Sequence, residues 1–290
     1  MLPQEIGQIP TWEQFAAAPD DVVAQVAPAT AVFSAGGSRR AAVLAGISPQ
    51  SNAYVQWARQ QNLATFALLF RHGVRHVIAA AITQNQLNET TPVYRERLLQ
   101  WTEWGMSGPE ALADYARLGW KVRLLGTESL PELQTCARRL ATETAPQSDK
   151  TVWWFVAPDP ESHWRHLLKV AQSNNAHSPA ELRVALYGEP IPPATLFIAF
   201  GKPLFMPEQV PPLLMGALQC YWLQRPGYLT DPVVLRQILY DYAYLRPTWQ
   251  EDKSRRSDEV LDNRPLWENA PTLGLGQRIG SFWFPRESSS

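Results

Sequence analysis

Apolar positions come in short blocks along this chain, and their spacing changes from block to block. "TAVFSA" is β-branched and aromatic and stops at Gly36-Gly37, which predicts a strand. From Asn52 to His72 the period lengthens. Tyr54, Trp57, Ala58, Phe66, Leu69 and Phe70 recur at three-to-four spacing and fit one helix face, closed by Gly73. "VRHVIAAAI" then reads as a buried strand, and "WKVRLLG", "TVWWFVAP" and "ATLFIAFG" as three more. Between them "YRERLLQWTEW" through "ALADYARLG", "ELQTCARRLATET", "ESHWRHLLKVAQSN" and "SPAELRVALYG" read as helices. "DPVVLRQILYDYAYLRP" is a further helix with proline at an early position, and "TWEQFAAAPDDVVAQVAP" is a short amphipathic lead-in. Alternation of this kind predicts an α/β fold with a mostly parallel central sheet of about six strands and helices on both faces.

The 290 residues show no internal repeat and no low-complexity linker, so residues 1–290 are expected to form one domain. Residues 247–290 form a C-terminal extension placed to cover a site. Within it "WQEDKSRRSDEVLDNR" is dense in charge, and residues 249–264 read either as a solvated loop or as a lid.

Composition narrows the function classes. A net charge of −1 and a pI near 6.5 do not suit a nucleic-acid surface, so any anion site must be local. There is no signal pattern, and no apolar run approaches the ~18 residues of a membrane span. A cytoplasmic protein without membrane insertion is expected. Cys136 and Cys220 make no disulfide framework and read as reduced. Twelve tryptophans either fill the core or wall an aromatic pocket, whose π faces suit cations and apolar ligands alike.

The chemistry concentrates in "VFSAGGSRRAAVL", from Val32 to Leu44. In an open parallel sheet, ligands gather at the carboxyl ends of strands. A glycine turn there lets backbone N–H groups face the ligand, and the following helix start adds more of them. Arg39 and Arg40 supply charge and forked donors suited to phosphate oxygens. The stretch reads as a phosphate or diphosphate cradle, the alternative being a plain turn with surface arginines. It is neither a Walker loop nor GxGxxG.

Other constellations are weaker. His72 and His76 are four apart, but Gly73 separates them, so they should not share a helix face. His163 and His166 are three apart with no third ligand in view. No G-x-S-x-G elbow is present. Asp241, in "LYDYAY", is either a carboxylate satisfied by Arg236, Arg246 or a tyrosine hydroxyl, or a polar group of a pocket. Tyr240 and Tyr244, four apart, should pack on each other. Tyr94, just past "TQNQLNETTPV", is placed to reach the site.

On "VFSAGGSRR", "YVQWARQQNLATFALLFRHGVRHVI", "LFIAFG" and "LRQILYDYAYLRP" the chain resembles the bacterial diterpene synthases typified by tuberculosinol/isotuberculosinol synthase. The kolavelool synthases of the same group are similar. The likeness runs from about residue 25 to the tail "LGQRIGSFWF". It implies the fold of the cis-prenyltransferases, such as undecaprenyl diphosphate synthase, and a homodimer. It also implies an activity. A bicyclic diterpenyl diphosphate of kolavenyl or halimadienyl type would lose its diphosphate on the turn after the first strand. The allylic cation would then be captured by water to give a diterpene alcohol.

By the same resemblance Gly36, Gly37, Ser38, Arg39 and Arg40 would bind the diphosphate. Arg39 and Tyr54 would act in catalysis, and Asn85, Tyr94 and Asp241 would lie in or near the pocket. The family's turn reads Asp-Gly-Thr-Arg-Arg or similar, and its aspartate is Gly36 here. A paired aspartate after the second strand is replaced by Gln84 and Asn85 in "ITQNQLN". Amides are weaker Mg²⁺ ligands than carboxylates. Mg²⁺ use is therefore left open, to be met through substrate phosphates and water, and no protein metal ligand is assigned. "FIAFGKPLF" offers only Lys202 in place of the arginine-rich signature of the chain-elongating enzymes, so chain elongation is not expected. The loss of the aspartate leaves a second reading, a non-catalytic, isoprenoid-binding partner subunit. Since the sequence does not separate water from other acceptors, a diterpenyl transferase to an acceptor other than water is a further one.

Overall fold

The computed structural model describes residues 9–88, 92–206, 209–249 and 252–286. Strands β1 (Thr30–Ser34), β2 (His76–Thr83), β3 (Lys121–Leu125), β4 (Thr151–Ala157), β5 (Ala194–Phe200) and β6 (Met215–Leu223) form one sheet in the order β3-β4-β2-β1-β5-β6. Every neighbouring pair in it is parallel. A separate antiparallel hairpin pairs β7 (Gly276–Ile279) with β8 (Phe282–Pro285).

Strand pleating divides the core in two. Phe33, Val77, Trp154, Leu196 and Ile198 face one layer, where they meet Phe66 and Leu69 of the Asn52–Arg71 helix and Leu235 of the Pro232–Tyr240 helix. Val32, Ile78, Trp153, Phe155 and Phe197 face the other, where Trp153 meets Tyr187 and Phe155 meets His163. The helices on this side are Ser162–Ser173 and Pro179–Tyr187. Both faces are covered, which is why these strands read as near-continuous apolar runs.

Four features differ from the sequence expectation. The sixth strand, β6, lies at the sheet edge with Met215 57% exposed, so its pattern lacks the apolar continuity of its neighbours. The helical stretch from residue 94 to 118 is two helices, Pro92–Ser107 and Pro109–Leu118. Gly108 is the cap between them and Pro109 starts the second. The last predicted helix stays α-helical only to Tyr240 and widens to a π turn over Asp241–Leu245, closed by Arg246 N–H donating to the Asp241 carbonyl at 2.9 Å. Residues 256–262 of the charge-dense segment are a helix, Arg256–Asp262, with Asp258 and Glu259 in its first turn to complement the dipole. Residues 250 and 251 of that segment lie outside the described residues.

The histidines are structural. His72 ends the Asn52–Arg71 helix and its Nδ1 donates to the Leu68 carbonyl at 2.9 Å. Gly73 follows with φ 98°, and a Cβ there would stand 2.6 Å from the Ala24 carbonyl oxygen. The chain therefore turns between His72 and His76, which opens β2 and accepts a hydrogen bond from Trp153 Nε1 at 3.2 Å. His166 lies 3.8 Å from Glu128. Burial lowers the pKa of His72, His76 and His163. Folded pKa values below the unfolded value of about 6.5 mean that the unfolded chain takes up protons first as pH falls. Stability should be full above about pH 6.5 and decline below it. Urea unfolding should show a lower midpoint at pH 5.5 than at pH 7.5, and a flat midpoint across that window would contradict the assignment.

Candidate active site

The chain leaves β1 toward β2 on one side, and leaves β5 toward β6 on the other. The crevice between β1 and β5 is thus the switch point of the sheet, where ligands of open parallel sheets bind. β1 delivers Ala35, Gly36 and Gly37 to it, and β5 ends there in Phe200. Gly37 has φ 74°. A Cβ on Gly37 would meet the Phe200 ring at 2.6 Å, and one on Gly36 would meet it at 2.9 Å. A side chain at either position would have to displace that ring, and the positive φ of Gly37 adds strain of its own for any other residue. Gly36 also accepts a hydrogen bond at its carbonyl from the Gly227 N–H at 3.2 Å.

The Ser38–Leu44 helix that follows has seven residues, too short for much of a dipole, so its charge comes from side chains. Arg39 and Arg40 are exposed at its first turn. The Arg40 guanidinium lies 4.6 Å from the Phe200 ring and 4.7 Å from the Phe282 ring of the β7–β8 hairpin. Arg39 lies over the Tyr94 ring at 5.6 Å. Aromatic faces hold both guanidiniums beside the turn.

Behind the turn lies a cavity of about 200 Å³. One wall is the Asn52–Arg71 helix, with Tyr54, Ala58, Asn62 and Phe66 at four-residue steps. The other is the Pro92–Ser107 helix, with Leu98, Trp101 and Gly105. The Tyr54 hydroxyl donates to Ser38 Oγ at 2.9 Å and so joins cavity to turn. The Tyr54 ring lies 6.3 Å from Trp57 and 5.9 Å from Trp101, and Trp57 meets Tyr228 edge-on at 5.7 Å. Deeper in, Arg59 is 8% exposed at its side chain. Its Nη2 donates to Glu110 at 2.7 Å and its Nη1 to Asp114, tying the wall to the Pro109–Leu118 helix. Its charge is thereby neutralised within the wall.

The arrangement can hold an anion at its mouth and an apolar, cation-tolerant body behind it. Of the residues singled out in the sequence, it brings together Gly36, Gly37, Ser38, Arg39, Arg40, Tyr54 and Tyr94. Asn85 stands nearby in the Gln84–Leu87 helix after β2, but the cavity is lined there by Gln86. Asp241 is elsewhere. Its Oδ2 accepts from Tyr221 at 2.6 Å and from Arg246 Nε at 2.6 Å, and it does not line the cavity. Arg236 binds Asp20 instead, at 2.6 Å. Arg59, Asn62, Trp101 and Tyr228 were not singled out in the sequence. Asn62 and Arg59 were legible as polar interruptions of the apolar helix stripe, eight residues after Tyr54 and four after Val55. Tyr228 has no such signal, because a turn brings it in.

The donor set does not fit a protein-held Mg²⁺. Glycine stands at the turn, amides follow β2, and among the described residues no group of three or more His, Cys, Asp or Glu is arranged to hold a metal ion.

Over 97% of both chains this sequence is 46% identical to a (+)-kolavelool synthase of Herpetosiphon aurantiacus. The chain belongs to that family of diterpene synthases. This synthase is also 25% identical to a tuberculosinyl adenosine transferase of Mycobacterium tuberculosis, over 89% of its own length and 90% of the relative's. A crystal structure of a probable undecaprenyl diphosphate synthase from Campylobacter jejuni superposes with a TM-score of 0.54. It covers 76% of the synthase and 97% of that chain at 10% identity, which establishes the cis-prenyltransferase fold. No family model matches the chain. Among the described residues no helix is long and apolar enough to cross a membrane.

The Phe200 ring gives a physical account of the missing turn carboxylate. Gly36→Asp should cost about 1–3 kcal/mol through overpacking. Adding Phe200→Ala should recover part of that loss, so the double variant is more stable than the sum of the single effects by over ~0.5 kcal/mol in urea unfolding. Strict additivity would show that the ring does not occupy the carboxylate's place.

Proposed function

We propose that this synthase ionises a bicyclic diterpenyl diphosphate of kolavenyl or halimadienyl type, releases diphosphate, and passes the allylic cation to water to give a diterpene alcohol. The observation that carries the reading is the Tyr54–Ser38 hydrogen bond at 2.9 Å, which sets a two-arginine turn directly against an aromatic cavity. The relative named (+)-kolavelool synthase supports the product class. In this reading Arg39, Arg40 and the turn amides take the diphosphate, whose negative charge grows as the C–O bond breaks, so these contacts strengthen toward the transition state. The Tyr54 hydroxyl lies at the junction and orients the leaving oxygen. The rings of Tyr54 and Trp101, which line the cavity, stabilise the cation left behind. With no carboxylate at the turn, the arginines carry the charge compensation.

The non-catalytic partner reading fits neither the retained arginines nor a family of synthases. Transfer to an acceptor other than water is the second reading, and the relative named tuberculosinyl adenosine transferase is the observation that favours it. The C-terminal extension covers the site in this reading, and Phe282 stacked on Arg40 at 4.7 Å is the contact that supports it.

Purified protein should be given linear geranylgeranyl, kolavenyl and halimadienyl diphosphates, each with Mg²⁺ and with EDTA. The expected result is release of diphosphate from one bicyclic substrate together with one extractable diterpene alcohol, persisting in EDTA. Release from none of them would overturn the reading, and a product formed only when a nucleoside is added would select the transferase. A charged hydrogen bond to phosphate is worth about 1.5–3 kcal/mol, so Arg39→Ala and Arg40→Ala should each lower kcat/KM by about 10- to 100-fold in folded protein. Phe282→Ala should raise KM by a few-fold, since an exposed cation–π contact is worth about 0.5–1 kcal/mol. An unchanged KM would detach the hairpin from the site.

A further inference from the structure

The polar groups lining the cavity are mostly committed. Ser38 holds Tyr54, Arg59 holds Glu110 and Asp114, and Gln86 Oε1 accepts from the Thr83 N–H at 2.9 Å. Three lining atoms are left over among the described residues: Arg59 Nε and Trp154 Nε1, which are donors, and the acceptor of Asn62. Its Oδ1 is buried and has no hydrogen-bond partner among the described residues. Leaving such an acceptor unmatched is unfavourable, and much of the wall around it is phenylalanine, leucine and tryptophan. The Tyr228 hydroxyl faces the Asn62 amide. Tyr228 itself is tied to the anion turn, because the neighbouring Gly227 N–H donates to the Gly36 carbonyl at 3.2 Å. The pair therefore sits in the cavity wall just behind the place where the diphosphate would leave.

We propose that Asn62 and Tyr228 hold the water molecule that captures the substrate cation. The inference rests on the diterpene-alcohol reading of the site. A water here donates one O–H to Asn62 Oδ1 and accepts the Tyr228 O–H, which leaves a lone pair for carbon. Burial pushes the Tyr228 phenol well up, so it stays protonated and acts as a donor rather than a base. The allylic C–O bond breaks with its electron pair going to diphosphate. The water lone pair then forms the new C–O bond, and the resulting oxonium loses one proton to the departed diphosphate anion. The sum is diterpenyl diphosphate plus water giving alcohol, diphosphate and a proton. Asn62 and Tyr228 are positioning residues: they decide whether the cation meets water or loses a proton to give a hydrocarbon.

The test measures alcohol and hydrocarbon per diphosphate released, so that a change in overall rate does not enter. The proteins are the wild-type chain, Asn62→Leu, which keeps the volume and removes the amide, and Tyr228→Phe, which keeps the ring and its Trp57 contact. The expected result is a fall in the alcohol-to-hydrocarbon ratio of about ten-fold in Asn62→Leu, with a smaller fall in Tyr228→Phe. Tyr228→Phe removes one oxygen atom and carries the test if Asn62→Leu does not fold. An unchanged ratio in the folded variants, with wild-type protein making alcohol, overturns this inference alone. Wild-type protein that releases diphosphate without making any alcohol overturns the reading beneath it.

Discussion

The backbone of Gly36 and Gly37 passes the Phe200 ring so closely that a Cβ at either position would have to displace it. Much of the site follows from that contact. It fixes the turn at the crevice between β1 and β5, where an open parallel sheet offers its strand ends to a ligand. It disfavours a carboxylate side chain at Gly36. The same ring stacks on Arg40, so what excludes a negative group also holds a positive one in place. In the proposed function, charge compensation for the diphosphate falls to two guanidiniums in place of a carboxylate-held metal ion.

The second organising feature is the separation of charge from apolar volume over a very short distance. Arg39 and Arg40 stand at the surface, while the cavity behind is walled by aromatic rings and by an Arg59 already neutralised by Glu110 and Asp114. The Tyr54–Ser38 hydrogen bond is the seam between the two environments. An amphiphilic substrate with a charged head and a hydrocarbon body matches this division. A cation released inside meets π faces rather than bulk water, so its fate depends on the few polar atoms in the wall.

The strand-turn-helix at Val32–Leu44 was legible in the sequence because its signals are local: a β-branched run, two glycines, two arginines. The four interior strands were legible because burial on both faces makes them apolar almost throughout, and the edge strand β3 because its buried valine and leucine alternate with half-buried neighbours. β6 was not, because none of its nine residues is fully buried and its pattern shows no apolar run. Tyr54 was found through the family resemblance, and its four-residue stripe could have led on to Asn62. Tyr228 is placed by a hydrogen bond from Gly227 to a residue 191 positions earlier in the chain, and no local pattern encodes such a contact. Asp241 misled because its aromatic neighbours suggest a pocket, whereas a π turn aims it at Tyr221 and Arg246 on the β6 side. Pairing with a tyrosine hydroxyl and Arg246 was one of the two options the sequence left open.

The account's central claim is that head and body of one substrate span the Tyr54–Ser38 seam. A crystal structure with a non-ionisable thiolodiphosphate analogue of a bicyclic diterpenyl diphosphate tests it most directly. Diphosphate oxygens are expected on Arg39, Arg40 and the turn amides, with the decalin rings among Tyr54, Trp101 and Tyr228. A diphosphate bound away from the Gly36–Arg40 turn, or a hydrocarbon body lying outside the cavity, would contradict it.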